Sequence, residues 1–156
     1  MDCTLTVMAI EFKHLLVPVD FGTPSQQALE VAVDLGRRFD SRLTLLHVHE
    51  VLAYAYGGMT FATAELLEPI EEAAREHLDK TLREVKAQIP TSKAILRSGT
   101  AAVEILAVIE EQHPDLVVMG THGRKGVSHA LLGSVAERIV RFSTIPVLTI
   151  RERKPS

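Results

Sequence analysis

The sequence predicts an α/β fold, doubly wound, with helices on both faces of a five-stranded parallel sheet. Three observations predict it. Short apolar runs alternate strictly with segments of helical period, giving the order β-α-β-α-β-α-β-α-β. Such alternation implies parallel strands joined by right-handed crossovers. The first, second and fourth apolar runs are nearly continuous, as strands become when both faces are covered. The chain of 156 residues suffices for one domain burying roughly two thirds of its unfolded surface. We read 1–156 as a single domain, with residues 1–8 as an extension of no assigned role.

Each element follows in order. FKHLLVPV (12–19) is the first strand. Thr23 is the N-cap candidate of the next helix, with Pro24 at its first position and Gln26 completing a capping box. That helix is expected to bury Ala28, Ala32, Leu35 and Phe39. RLTLLHV (42–48) is the second strand, and residues 50–63 read as irregular. A long helix then runs to Ile89 on a stripe of Leu67, Ile70, Ala74, Leu78, Leu82, Val85 and Ile89. Pro69 marks the start of its regular part. KAILRS (93–98) is the third strand. Thr100 caps a helix carrying Ala102, Ile105, Leu106 and Ile109, and Pro114 ends it. DLVVM (115–119), the helix 134–142 and PVLTIR (146–151) complete the chain.

Composition narrows the function classes. Hydrophobic residues make up 46% and charged residues 24%, an ordinary globular balance. A formal net charge of −3 argues against a general nucleic-acid binder. The apolar amino terminus lacks a basic region and is far short of a membrane span. Cys3 is the single cysteine, so no intramolecular disulfide can form, and a cytoplasmic location is the expectation.

The stretch GTHGRKGVSHALLGS (120–134) carries the functional signal. It leaves the carboxyl end of the fourth strand, where open parallel sheets bind ligands. Gly120 and Gly123 permit unusual backbone angles and close approach of a ligand. Gly133 and Ser134 open the following helix, whose first N–H groups and partial positive charge favour a phosphate. Arg124 and Lys125 add positive charge. Neither the P-loop spacing nor the dinucleotide fingerprint is present.

The spacing G-x2-G-x9-G-S resembles the motif of the ATP-binding branch of the universal stress protein family. LLVPVDFG (15–22), LTLLHV (43–48), DLVVMGTHGRKG (115–126), LLGSVAERIV (131–140) and IPVLTI (145–150) also resemble that family, in the same order. Thr100 departs from it, standing where members often carry proline. The resemblance implies the strand order 3-2-1-4-5 of adenine nucleotide alpha hydrolase-like folds and binding of ATP with Mg²⁺. It implies that Asp20, with Pro18 and Val19, lies by the ribose or a phosphate-bound metal. Val48 would face the adenine, and Met119 and Gly120 would flank the nucleoside. Gly123, Gly133, Ser134 and Val135 would cradle the phosphates, with Arg124 alongside.

Other candidates are weaker. His47 and His49 share one face of a strand, but a metal site needs further ligands that the pattern does not show. His122 and His129 could touch phosphate from the loop. Tyr54 and Tyr56 could shield a nucleotide or meet a partner. The charged run 68–80 reads as a solvated helix face. No nucleophile–base–orienter set stands out, so slow ATP turnover or nucleotide retention as a switch is the expectation. An adenylate-forming enzyme is disfavoured by VDFGTPS after the first strand. A non-nucleotide interaction module of the same fold is the alternative. The fifth strand is expected at a sheet edge, where antiparallel pairing with a second copy would give a closed homodimer.

Overall fold

Leu15, Leu16 and Val17 follow one another in sequence and have no exposed surface. Successive strand residues face opposite ways, so this run needs cover on both sides. The computed structural model supplies it, describing residues 11–50, 55–56, 59–60, 64–122 and 132–152. Its elements are β1 (His14–Pro18), α1 (Thr23–Phe39), β2 (Arg42–His49), β3 (Ala55–Tyr56), β4 (Met59–Thr60) and α2 (Ala64–Lys86). There follow β5 (Lys93–Ser98), α3 (Ala101–Gln112), β6 (Leu116–Gly120), α4 (Ser134–Phe142) and β7 (Val147–Ile150). The main sheet has the order β5-β2-β1-β6-β7, all parallel, which is the expected 3-2-1-4-5 in order of its own strands.

Alternate residues feed two cores. Leu15, Val17, Leu43, Leu45 and Val118 pack with Ala28, Ala32 and Val33 of α1 and Leu78 and Val85 of α2. Leu16, Leu46, Val117 and Met119 pack with Ala102, Ile105, Val108 and Ile109 of α3 and Ala136 and Ile139 of α4. Burial of each Leu, Ile, Val or Met side chain among these contributes about 1.5–3 kcal/mol, and each Ala less. That term holds α4, whose 9 residues are too few for a stable isolated helix.

Several expectations need correction. The N-cap of α1 is Gly22, not Thr23, and no side chain caps the helix there. Thr100 does hold the N-cap position of α3, again without a side-chain bond. Phe39 is 41% exposed; as the last residue of α1 it packs edge-to-face on Phe12 at 5.6 Å rather than entering the core. Helix α2 begins at Ala64 and keeps Pro69 inside it, so the proline costs one backbone bond without marking the start. Ile70 is 58% exposed. The reason is length. The 23 residues of α2 span about 35 Å, whereas the six of β5 span about 20 Å, so the first turns overhang the carboxyl edge of the sheet. The segment 50–63 is not wholly irregular, since β3 and β4 pair antiparallel. None of the described helices is long and apolar enough to cross a membrane.

Candidate functional site

Strand β1 pairs with β2 on one side and β6 on the other. The chain leaves β1 toward β2 and leaves β6 toward β7, so strand order reverses between β1 and β6. Connections diverge there, and open α/β sheets bind ligands beyond the carboxyl ends at such a point. Of the residues expected to bind nucleotide, Pro18, Val19, Asp20, Met119 and Gly120 lie at the carboxyl ends of β1 and β6, and Gly133, Ser134 and Val135 at the start of α4.

On the β1 side, Pro18 ends the strand and Val19 is buried, its N–H donating to the Leu46 carbonyl at 2.8 Å. Asp20 begins a tight turn. The Gly22 N–H donates to Asp20 Oδ1 at 2.9 Å, and the Asp20 N–H donates to Ser25 Oγ at 3.2 Å. Ser25 Oγ in turn donates to the Gly22 carbonyl at 3.1 Å. A short-range aspartate turn of this kind competes with capping by Thr23. Phe21, within the turn, adopts a left-handed φ of 63°. That conformation costs about 1–2 kcal/mol for a residue with a Cβ. Ring contacts offset it. Phe21 stacks on His77 at 4.1 Å with a 3° interplanar angle, and lies 4.5 Å from His47 at 37°. Each such contact contributes about 0.5–1.5 kcal/mol beyond area burial. His47 Nδ1 donates to the Val19 carbonyl at 2.7 Å. A groove of about 200 Å³ opens beside this stack, between α1 and α2, lined by Phe21, Gln26, Leu29, His77 and Lys80 among others.

On the β6 side, Met119 is buried and Gly120 ends the strand. Gly120 does not use a left-handed angle. A Cβ there would meet the Pro24 backbone at 2.8 Å, so the missing side chain lets α1 pack against the end of β6. Gly133 is similar. Its N–H donates to the Thr121 carbonyl at 2.7 Å, and a Cβ would stand 2.9 Å from that oxygen. The Gly133 amide is thus used within the protein, and a bulky residue at 133 would displace the 121–122 backbone. The Glu137 N–H donates to the Gly133 carbonyl. The earlier amides of the turn, from Ser134, Val135 and Ala136, have no intrahelical acceptor. Ser134 is exposed and Val135 half-buried. His122 Nδ1 shares a 2.9 Å hydrogen bond with Thr121 Oγ1, while its Nε2 is buried without a hydrogen-bond partner among the described residues.

Val48 lies on β2, paired with Arg97 and half-buried against the second core. Gly123 and Arg124 lie outside the described residues, as do Lys125, His129 and Tyr54. Among the described residues no group of three His, Cys, Asp or Glu could hold a metal ion. Sequence reasoning missed Phe21, Ser25 and His77. His77 sat in a run read as a solvated helix face, and nothing in the pattern placed it over Phe21.

Known proteins share this arrangement. The family model described as the universal stress protein family matches residues 11–151. Universal stress protein MJ0531 of Methanocaldococcus jannaschii is 30% identical over 146 residues, covering 92% of this chain and 84% of its own. Universal stress protein UspA from Lactobacillus plantarum superposes with a TM-score of 0.80 at 25% identity, covering 90% of this chain and 99% of its own. Two more distant structures share the fold and hold nucleotides. One is a family protein from Arabidopsis thaliana with AMP bound, at TM-score 0.62 and 20% identity, covering 92% and 96% of the two chains. The other is a universal stress protein in complex with cAMP, at TM-score 0.67 and 19% identity, covering 90% and 98%. A match across almost the whole chain, on a sheet of the same order, leads to one conclusion: the chain belongs to the universal stress protein family.

Proposed function

We propose that the protein binds an adenine nucleotide, ATP with Mg²⁺, in the crevice between β1 and β6. It acts as a cytoplasmic, homodimeric switch in the stress response, with slow hydrolysis at most. The observation that carries this reading is the amino terminus of α4. The Gly133–Thr121 bond ties it to the end of β6, and its first turn leaves the Ser134, Val135 and Ala136 amides for an anion. The residues fit the ligand. The Ser134 and Val135 amides and the Ser134 hydroxyl would hold phosphate oxygens. The carboxylate of Asp20 would face the ribose or the phosphate-bound metal, and the Val48 backbone the adenine. Mg²⁺ commonly binds through one or two carboxylates plus substrate phosphates, which suits a site without a protein cage. Asp20 already accepts the Gly22 amide, which suits it to holding rather than to proton transfer. The AMP and cAMP complexes of the distant relatives support an adenine ligand.

Calorimetric titration with ATP and Mg²⁺ tests the reading. Saturable heat and a thermal shift are expected; neither appearing at millimolar ligand would overturn it and leave an interaction module. Asp20→Asn keeps an oxygen for the Gly22 amide while removing the charge. It should weaken binding about tenfold, the effect of losing a charge-assisted contact of about 1.5 kcal/mol. The melting temperature of the free protein should stay within about 2 °C of the parent.

A further inference from the structure

Asp20 is held from both sides along the chain. Before it, the Val19 carbonyl accepts the His47 Nδ1–H at 2.7 Å. After it, the ring of Phe21 lies against His47 at 4.5 Å and His77 at 4.1 Å. His47 is 9% exposed and fixed on β2. His77 is exposed, on α2. The left-handed backbone of Phe21 persists only where its surroundings hold it. That same backbone presents the Gly22 N–H to Asp20 Oδ1.

We infer that His77 is a positioning residue: from α2 it fixes the orientation of the Asp20 carboxylate by stacking on Phe21. A shift of α2 removes one plate from the Phe21 ring. The turn then relaxes out of its left-handed angle and the Asp20–Gly22 bond opens. The Asp20 turn is thereby coupled to α2. The inference rests on the nucleotide reading for its affinity consequence alone; the turn geometry stands without it.

The test compares His77→Ala, which removes the plate, with His77→Phe, which keeps an aromatic ring and removes the imidazole. Amide hydrogen exchange of Gly22 in the full chain is read without ligand, and ATP·Mg²⁺ affinity is read by titration. In His77→Ala the Gly22 exchange should rise about 3- to 10-fold, and affinity should fall by a similar factor. His77→Phe should restore both. Unchanged Gly22 exchange in His77→Ala would overturn the inference, as would exchange that rises equally in both variants. Should the parent bind no nucleotide, the crevice reading fails and the exchange comparison alone decides the role of His77. Should exchange respond while affinity in a binding parent does not, the coupling to the ligand is overturned.

Discussion

At the residue scale, His14 carries a pH dependence that its chemistry dictates. It is 3% exposed, with Nε2 2.7 Å from Thr44 Oγ1 and Nδ1 3.2 Å from Arg42 Nη2. Arginine only donates, so Nδ1 accepts and the proton of the neutral ring sits on Nε2. Burial first, then the charges of Arg42 and Lys93, lower its pKa from 6.5 to about 4; Asp115 and a backbone contact with Gln112 pull the other way. The unfolded chain thus takes up this proton near pH 6.5 and the folded chain near 4. Between those values the unfolded state binds more protons, so stability is complete above pH 6.5 and falls on acidification. The loss reaches about 3 kcal/mol at pH 4. Urea unfolding at pH 7, 5.5 and 4 should show this loss in the parent and a shallower one in His14→Gln. Parallel profiles would refute it. The sequence placed His14 in a strand; its partners come from the register His14↔Arg42, which only the folded sheet sets.

At the element scale, the start of α1 separates what the sequence shows from what it hides. The pattern Thr23-Pro24-Ser25-Gln26 reads as a capping box, and the helix does start at Thr23. The bonds are made elsewhere, by the Asp20 turn and by Ser25, which is 5% exposed and bridges the Asp20 N–H and the Gly22 carbonyl. Ser25→Ala should therefore lose about 1–2 kcal/mol, because it orphans a part-buried amide, while Thr23→Ala should change stability by less than about 0.5 kcal/mol. Equal losses in chemical denaturation would restore the capping-box account. Strands were legible because two-sided burial leaves continuous apolar runs, as in Leu15–Val17 and Val117–Met119. Gly120 and Gly133 were legible as sites where a side chain is missing. That Pro24 and Thr121 fill the space was not, because a sequence shows the gap and not its occupant.

At the scale of the whole molecule, the fold was readable because alternation leaves few topologies, and the observed strand order is the expected one. The reversal between β1 and β6 was readable as a place. The stacking of His77 on Phe21 was not, because it joins residues far apart in sequence that only the packed fold brings together. Strand β7 lies at an edge and pairs only with β6 in the main sheet, as expected. On the proposed homodimer, light scattering at micromolar protein should give twice the chain mass; a single-chain mass throughout would remove it. The two rims of the sheet are unlike. β5 begins with Lys93 and carries Arg97, bound to Gln112 and Glu111 of α3. The β7 rim reads Val-Leu-Thr-Ile, without a charge. Charged rims resist strand addition and bare ones invite it. In the proposed homodimer, pairing through the bare β7 rim would leave the guarded β5 rims facing outward, so growth would end at a pair rather than run on as a fibre.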